Sequence, residues 1–476
     1  MKRLLLLVVL FSFVACEGFL NVNPRSQVLG DELLDSPEGF EDALYGVYAS
    51  MRSESLYGGQ LTHLSLDILA QYFKSPGNTY IPELNSYKYT DVDVEEIINT
   101  VWGDMYHNIA MLNNILLNLE KTDENAIPLY KIYKGEALGL RAFLHFDLLR
   151  LFTEDIKINP QAKGIPYSTD FSSTSPEFIS SEEVYEKIIT DLEAAETLLT
   201  EAGKNYFPGS NAAEDYLADR NIHFNLYAVQ ATLARVYLTK GDMDNALKYA
   251  QKVIESNRFQ LLQPVNINKS LRGTIYPEET IFGLYDADYF EIVRDRFYQE
   301  QSFYSLDLKT GLVNEFNTNS ATAEDRRKSY YFGLGPGSIG TTRFLKLVDQ
   351  FRLDDAEYQR PDELISGINL IRLPEMYYIA AEALVRKNNV SEAREYLDPV
   401  LASRGLNPLA ERTPEQFPTI EMITKERYKE LIGEGQTFFN MKRLHLDIVD
   451  VYGQTVSASS DIFVWPIPDD EYIFRN

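Results

Sequence analysis

Hydrophobic positions recur with helical spacing along most of the chain. In the segment 38–52, apolar residues lie three or four positions apart, so they share one face of a helix. The same period recurs in three later segments, 95–120, 128–152 and 181–201. The pattern therefore predicts a mainly α-helical protein built from long amphipathic helices.

Two segments predict a repeat of paired helices. In 227–257, small and apolar residues fall close to the spacing of a tetratricopeptide unit, which is about 34 residues long. These residues are Leu233, Ala234, Tyr237, Gly241, Ala246 and Ala250. Gly241 allows a tight turn between the two helices. A second unit is predicted at 372–404, where Asn388 and Asn389 replace the glycine, since asparagine tolerates positive φ.

A long stretch between the two units departs from the helical period. Residues 258–370 are rich in Tyr, Phe, Gly and Asp, and long loops inside a compact domain are usually functional. The shorter interruptions 55–94 and 153–180 have the same character. We therefore expect a tetratricopeptide-like helical-repeat scaffold whose long aromatic-rich loop insertions form a second, irregular lobe. The expected division is a signal peptide at 1–15, an N-terminal helical region at 16–257, a ligand-binding insertion at 258–370 and a C-terminal helical region at 371–476.

The N-terminus has the organisation of a bacterial lipoprotein signal. Lys2 and Arg3 precede a short apolar run, 4–13, which is too short to span a bilayer as a helix. Ala15 then precedes Cys16, which is the only cysteine in the sequence. We predict cleavage before Cys16 and acylation of that cysteine, which would anchor the mature chain to a membrane. The alternative is an ordinary secretory signal peptide, in which the position of Cys16 is accidental and the cysteine is not acylated.

Composition narrows the possible partners. The chain has 71 acidic and 45 basic residues, and its formal net charge of −26 disfavours nucleic acid and direct adhesion to anionic lipid. The five histidines are scattered and show no zinc-ligand spacing. With one cysteine, no disulfide within the chain is possible.

Short motifs are spread over nearly the full length of the chain. They are Cys16-Glu17-Gly18-Phe19-Leu20 with Asn23-Pro24; Trp102, Tyr106, Ile109 and Asn113-Asn114; Glu136-Ala137, Leu140-Arg141-Ala142, Phe146 and Gly164-Ile165-Pro166; Leu233-Ala234-Arg235-Val236-Tyr237-Leu238; Ile371-Arg372-Leu373-Pro374-Glu375-Met376 with Ala381-Glu382-Ala383; Ile423, Glu426-Arg427, Glu430-Leu431, Glu434-Gly435 and Met441-Lys442-Arg443; and Trp465-Pro466-Ile467-Pro468 with Glu471. In this order they resemble the SusD/RagB family of Bacteroidetes outer-membrane lipoproteins.

The resemblance implies a SusD-like fold and a binding protein that is not an enzyme. Members of the family bind oligosaccharides, or peptides in some branches, at the cell surface. They deliver them to a TonB-dependent outer-membrane transporter of the SusC type. An oligosaccharide or peptide ligand and such a transporter are therefore the expected partners, and a lipid anchor is expected to hold the protein at the outer membrane.

Two segments of the chain combine the side chains that sugar binding needs. Flat aromatic rings contact the apolar faces of a pyranose, and polar groups bind its hydroxyls. We expect the segments 67–89 and 276–304 to share the site, with Tyr80 and Tyr289 favoured. The candidate ligand residues are Asp67, Tyr72, Asn78, Tyr80, Tyr285, Asp288, Tyr289, Arg294 and Tyr298. The alternative is that many of these rings form the core of the second lobe.

Both tryptophans are expected to pack inside the protein. Trp102 falls at an apolar position of a predicted helix, and Trp465 belongs to the closing motif. A binder of long starch-like chains without a tryptophan at its site would be unusual. This favours a smaller or more decorated glycan, or a peptide.

Three carboxylates on one helical face suggest a second hypothesis, an anchored glycoside hydrolase. Glu426, Glu430 and Glu434 recur every four residues, and glycosidases use paired carboxylates. Lysines and arginines surround them, however, which favours an ion-pair network that closes the C-terminal end of the fold. We therefore assign no catalytic residue.

A third hypothesis is an envelope scaffold with no small ligand. It predicts that the rings of 276–304 are buried and that no cleft of ligand size separates this segment from 67–89. The binding hypothesis predicts exposed rings beside such a cleft.

The acidic run Asp91-Val92-Asp93-Val94-Glu95-Glu96 offers hard oxygen ligands for a structural calcium ion. It lacks the glycine and the full ligand spacing of an EF-hand loop, which favours a solvated acidic loop. We therefore expect no cofactor and no metal site.

Overall fold

The helices and strands follow from a computed structural model that describes residues 34–75, 80–172, 174, 176–203, 215–299, 305–318, 323–336, 340–354 and 365–473. The predicted signal peptide, Cys16 and Asn78 lie outside these residues. In chain order the α-helices are α1 (Pro37–Met51), α2 (Ser65–Leu69), α3 (Ile81–Asn85), α4 (Val92–Lys121), α5 (Tyr130–Phe152), α6 (Ser181–Ala202), α7 (Leu226–Lys240), α8 (Met243–Glu255), α9 (Tyr289–Phe297), α10 (Arg326–Tyr331), α11 (Gln350–Asp354), α12 (Leu373–Arg386), α13 (Val390–Ser403), α14 (Ile420–Glu430), α15 (Gln436–Leu444), α16 (Ser460–Phe463) and α17 (Asp470–Ile473).

The strands are short and lie in the segments that connect the helices. They are β1 (Phe73–Lys74), β2 (Lys163–Pro166), β3 (Phe178–Ser180), β4 (Thr274–Ile275), β5 (Thr280–Tyr285), β6 (Asp307–Leu308), β7 (Phe332–Leu334), β8 (Thr342–Phe344), β9 (Ile365–Arg372), β10 (Ile448–Val449) and β11 (Thr455–Val456). Among the described strands every pairing is antiparallel, and β9 lies between β4 and β5 in a three-stranded sheet. The predicted mainly α fold class is confirmed.

Local capping explains where the long helices begin. The Asp91 side chain accepts the backbone amides of Asp93 and Val94 at 3.1 and 3.4 Å, which caps the N-terminus of α4. At the start of α6, Ser180 and Glu183 form a capping box. The helices predicted at 95–120 and 181–201 are thus confirmed to within a few residues.

The α5 helix crosses the centre of the protein and is buried on almost every side. Its Glu136 side chain pairs with Arg220 and accepts the hydroxyls of Tyr48 and Tyr216 at 2.7 and 2.8 Å. A buried carboxylate needs such partners, because its desolvation is otherwise costly. Burial alone would raise the pKa of Glu136, but Arg220 and the surrounding donors lower it to about 2.

Both predicted repeat units are confirmed as helix pairs. In the first, α7 ends at Gly241, whose φ is +91°, and Tyr237 stacks on Tyr249 with the ring centroids 5.6 Å apart. In the second, the turn between α12 and α13 places Asn388 at a φ of +60°. Asparagine therefore takes the left-handed position that glycine takes in the first unit.

A buried ion-pair network ties the C-terminal helices to the sheet. Glu430, at the end of α14, accepts from Arg372, Arg404 and Arg327 at 2.8 to 3.2 Å. Glu434 pairs with Lys346 at 2.5 Å and with Arg372 at 2.7 Å. Burial alone would raise the pKa of Glu430, but the arginines around it hold that pKa well below its usual range.

The predicted ion-pair network around the carboxylate row is therefore confirmed, although most of its cations come from other segments of the chain. The side chains of Glu430 and Glu434 are at most 4% exposed, and that of Glu426 is 12% exposed. A carboxylate row buried and paired in this way ties the C-terminal helices to the sheet.

Across the described residues, no helix combines the length and apolar character needed to span a membrane. Trp102 and Trp465 are 5% and 1% exposed. Their predicted packing role is confirmed.

Candidate functional site

A cleft of about 400 Å³ opens between the N-terminal part of α4, the segment after α1 and the α9 helix. It is lined by Glu54, Ser55, Gln60, Tyr80, Asp93, Glu96, Ile97, Thr100 and Arg296. We call it the Tyr80 cleft. Its volume lies within the range of small-molecule binding sites, roughly 300–1,000 Å³.

One face of α4 forms the first wall. Asp93, Glu96, Ile97 and Thr100 line the cleft, and their spacing places them in a single stripe along the helix. The stripe therefore presents two carboxylates, one apolar side chain and one hydroxyl to the same space. Because Asp91 caps the helix just before this stripe, the first turn of the wall is fixed.

The opposite wall is an ion pair between distant segments. Arg296 Nη2 in α9 donates to Glu54 Oε1 at 2.5 Å, and the two side chains are 9% and 47% exposed. The arginine thus reaches from the core to the rim of the cleft. Ser55, next to Glu54, donates its hydroxyl to Asp104 of α4 at 2.6 Å and links the two walls.

Tyr80 supplies the aromatic surface of the cleft. It immediately precedes α3, and its carbonyl accepts the amide of Leu84 at 3.0 Å, which anchors its backbone to that helix. Its side chain is half-buried. A ring held in this way offers an apolar face at little cost in conformational entropy.

Gln60 lies at the base of the cleft and is only 8% exposed. Its Oε1 accepts the hydroxyl of Ser65. Within the described part of the chain, its Nε2 has no hydrogen-bond partner. A polar ligand that entered the cleft would find a donor here.

A buried layer supports the Arg296 wall. The His63 ring lies edge-on to Tyr289 and Phe297, with centroids 6.0 and 5.5 Å away. Burial and then the charge of Arg296 lower the pKa of His63 to about 3. The ring is therefore neutral at physiological pH, and it packs as an aromatic side chain beneath the arginine.

Of the sequence-predicted ligand residues that the structure describes, Tyr80 is the one that lines this cleft. Four others lie on the 276–304 segment outside the lining. Tyr285 is 51% exposed at the end of β5, and Asp288 is exposed just before α9. Arg294 pairs with Glu291 and Asp295 at 2.7 and 3.1 Å, and Tyr298 is half-buried. Asn78 lies outside the described residues.

The structure corrects the predicted contact role of three candidates, which lie in the core. Asp67 is fully buried, and its Oδ2 accepts the amide of Gly433 at 2.5 Å. Burial raises the pKa of this carboxyl to about 8. Tyr72 is also fully buried, and its hydroxyl lies 2.8 Å from Thr437 Oγ1. Tyr289 is 1% exposed, with its hydroxyl 3.4 Å from His63 Nδ1.

The pattern of the sequence contained a signal for this correction. Phe290, Val293 and Phe297 lie three and four residues apart, which is the core stripe of a short helix. A helix at this position buries Tyr289 and brings Arg296 to the cleft. Likewise, the run 91–96 is the start of α4 and not an acidic loop, so its spacing predicts the stripe that lines the cleft.

Among the described residues, no group of three or more His, Cys, Asp or Glu side chains is arranged to hold a metal ion. Asp91, the first residue of the acidic run, caps α4. The expectation of no cofactor stays a prediction.

Two family models match most of the chain. The model described as "Starch-binding associating with outer membrane" matches residues 18–238, and the model described as "SusD family" matches residues 290–470. A tetratricopeptide repeat model matches residues 227–260, which include the first predicted repeat unit.

Relatives and solved structures agree with these matches. SusD-like protein P38 of Formosa agariphila is 23% identical, and the match covers 97% of this chain and 94% of that protein. SusD-like protein P2 of the same organism is 30% identical, over 55% of this chain and 48% of P2, so the chain matches about half the length of that relative.

The fold of the chain is similar to solved structures over almost its whole length. A SusD superfamily protein from Bacteroides thetaiotaomicron superposes with a TM-score of 0.73 at 22% identity, covering 92% of this chain and 98% of that one. A SusD-like carbohydrate binding protein from Bacteroides vulgatus gives 0.71 at 19% identity, covering 92% and 96%. At these identities the likeness establishes the fold alone. The family matches and the fold together show that the chain belongs to the SusD/RagB family.

Proposed function

We propose that the protein binds an oligosaccharide in the Tyr80 cleft and delivers it to a TonB-dependent transporter of the SusC type. The observation that carries the proposal is the cleft itself. An aromatic side chain, an apolar side chain and several polar groups converge there in a space of about 400 Å³. This combination suits a pyranose, whose faces are apolar and whose edges carry hydroxyls. The relative from Bacteroides vulgatus is a carbohydrate binding protein by its description, which supports the same ligand class.

We further propose that the protein is a lipoprotein anchored through Cys16 at the outer-membrane surface, and that it binds its ligand without turnover. The description of the matched family model, which names association with the outer membrane, supports this placement. The location of the carboxylate row in a buried ion network supports binding without hydrolysis. A Cys16→Ser variant is expected to be released from the membrane fraction, and retention of that variant would contradict the anchor.

Binding of the full-length purified protein to an array of polysaccharides and oligosaccharides tests the ligand class. Thr100→Arg places a long side chain in the cleft, whereas Asn99→Arg places the same side chain on an adjacent exposed position outside it. We expect binding to at least one glycan class without product release, loss of binding in Thr100→Arg, and retention in Asn99→Arg. Absence of binding to every glycan of the array would contradict the proposal. Equal affinity of Thr100→Arg and Asn99→Arg for the bound glycan would also contradict it.

Co-purification tests the delivery step. After crosslinking in intact cells, the protein is expected to leave the outer membrane together with a TonB-dependent transporter. Recovery of the protein without any transporter would contradict delivery but would leave ligand binding intact.

A further inference from the structure

We infer that Asp93 and Glu96 make the Tyr80 cleft selective against anionic glycans, so that oligosaccharides of basic amino sugars are bound most tightly and uronates most weakly. The inference rests on the proposed glycan-binding function and specifies its ligand. It concerns the charge of the cleft walls, which the family matches and the fold do not specify.

The first observation concerns two carboxylates on the α4 wall that pair with no cation in the part of the chain that the structure describes. Asp93 and Glu96 are both exposed and both line the cleft. Within the described residues, neither side chain forms an ion pair. Their formal negative charges therefore face the space that a ligand would occupy.

The second observation is that the cation of the opposite wall is already engaged. Among the lining residues that the structure describes, Arg296 is the only basic side chain. It donates a hydrogen bond to Glu54 at 2.5 Å. An anionic sugar would have to compete with Glu54 for this guanidinium. It would also approach Asp93 and Glu96 to within a few ångströms, where like charges repel even in a high-dielectric site.

The third observation concerns the N-terminus of α4, which otherwise would attract an anion. The Asp91 carboxylate accepts the amides of Asp93 and Val94 at 3.1 and 3.4 Å. A carboxylate of the protein thus occupies the position where a ligand carboxylate or sulfate would bind. The helix end therefore offers these two amides to no ligand.

The fourth observation points to a ligand with neutral acceptors and basic groups. Gln60 is 8% exposed in the lining, and within the described part of the chain its Nε2 has no partner. An amide donor in the lining of the cleft gains from a ligand acceptor such as a sugar hydroxyl or ring oxygen. The same sugar can place an ammonium group against Asp93 and Glu96, because pyranoses carry substituents on several edges.

Two charge series test the inference with the full-length protein. The first consists of β-1,4-linked hexamers of glucose, glucosamine and glucuronic acid. The second consists of α-1,4-linked hexamers of galactose, galactosamine and galacturonic acid. Within a series the linkage is constant, so calorimetric differences report charge and the group that carries it. We expect the amino sugar to bind about tenfold more tightly than the neutral hexamer, and the uronate about tenfold more weakly, in at least one series. High salt should narrow these differences.

Variants locate the effect. Asp93→Asn/Glu96→Gln removes the two charges from the cleft, whereas Glu95→Gln/Glu120→Gln removes the same number from exposed positions of α4 outside the lining. We expect the first pair to bring the three hexamers to within about threefold of one another, and the second pair to leave the order unchanged.

Where an amino-sugar hexamer binds, three results would overturn the inference. One is that, in both series, the uronate hexamer binds as tightly as the neutral hexamer or more tightly. Another is an unchanged preference in Asp93→Asn/Glu96→Gln. The last is binding of hexalysine as tight as that of the amino-sugar hexamers, which would indicate charge attraction without sugar recognition. If array glycans bind but neither amino-sugar hexamer does, the inference fails while the proposed function stands. If neither the array nor the hexamers bind, both fail.

Discussion

Arg296 Nη2 lies 2.5 Å from Glu54 Oε1 and joins the α9 helix to the segment that follows α1. The two residues are far apart in sequence, and their pair forms one wall of the Tyr80 cleft. The arginine is nearly buried while the glutamate is half-exposed, so the pair runs from the core to the solvent. The shape of the cleft therefore depends on packing between the α9 helix and the segment that follows α1.

Replacing Arg296 should loosen this wall. Arg296→Met keeps the apolar part of the side chain but loses the bond to Glu54, and we expect ligand affinity to fall about tenfold while the fold is retained. Arg294→Met is the matched control, since Arg294 pairs only within its own helix, with Glu291 and Asp295, among the residues described. Isothermal titration with the best glycan of the array measures both. An equal loss in the two variants would contradict the assignment of Arg296 to the cleft.

Three tyrosines of the two predicted binding segments should respond differently to replacement by alanine. Tyr80→Ala should lower ligand affinity about tenfold with little loss of stability, because the ring is half-buried at the cleft. Tyr289→Ala should lower the free energy of unfolding by about 3–5 kcal/mol, because its ring is 1% exposed. Tyr285→Ala, at a 51% exposed ring outside the cleft, should change neither. Calorimetric titration measures the ligand affinity of all three variants, and denaturant unfolding measures their stability. A loss of affinity in Tyr285→Ala alone would place the binding site at Tyr285 and contradict the Tyr80 cleft.

Breaking the buried ion network should be costly. Arg372 contacts Glu430 at 2.8 Å and Glu434 at 2.7 Å, and all three side chains are buried. Arg372→Met leaves both carboxylates with fewer partners, so we expect a loss of about 3–5 kcal/mol in unfolding free energy. Lys387→Met removes a cation from an exposed pair with Asp244, and it should cost less than about 1 kcal/mol.

A double variant keeps this prediction testable even if Arg372→Met barely folds. Arg372→Met/Glu430→Gln also removes the charge of one carboxylate that has lost its arginine. Its loss of unfolding free energy should be smaller than the sum of the losses in the two single variants. Thermal and denaturant unfolding measure the coupling. Additive losses would contradict the network.

Asp67 should make stability depend on pH. Burial raises the pKa of its carboxyl from an ordinary value near 4 to about 8. The folded protein thus keeps a proton that the unfolded chain releases, so the stability contributed by this group is lost as pH rises from about 4 to about 8. Asp67→Asn cannot ionise, and its stability relative to the wild type should increase by about 2–4 kcal/mol between pH 5 and pH 8. Urea unfolding at the two pH values checks the sign, and a constant difference would contradict a protonated Asp67.

The helical scaffold could be predicted from sequence because its signals are local. The period of apolar residues in 38–52 and 128–152 placed α1 and α5 to within a few residues. Asn388 marked a turn because its short polar side chain tolerates a positive φ, and the structure has that φ at +60°. Each of these inferences depends on residues that are neighbours along the chain.

The site was less predictable because it depends on contacts between distant segments. The two binding segments chosen from composition stay a prediction, and Tyr80 of the first segment lines the cleft. Composition could not distinguish a ring that faces solvent from one that fills the core, so Tyr72 and Tyr289 were misplaced. Arg296 reaches the cleft only because α9 packs beside the segment that carries Glu54, and helical spacing does not indicate which segments become neighbours.

A crystal structure of the protein with the tightest-binding oligosaccharide of the array tests the central claim most directly. We predict a sugar ring in van der Waals contact with Tyr80, with hydroxyls or amino groups bonded to Gln60 or to the α4 wall. A sugar bound at another surface, with the Tyr80 cleft free of ligand, would contradict the account.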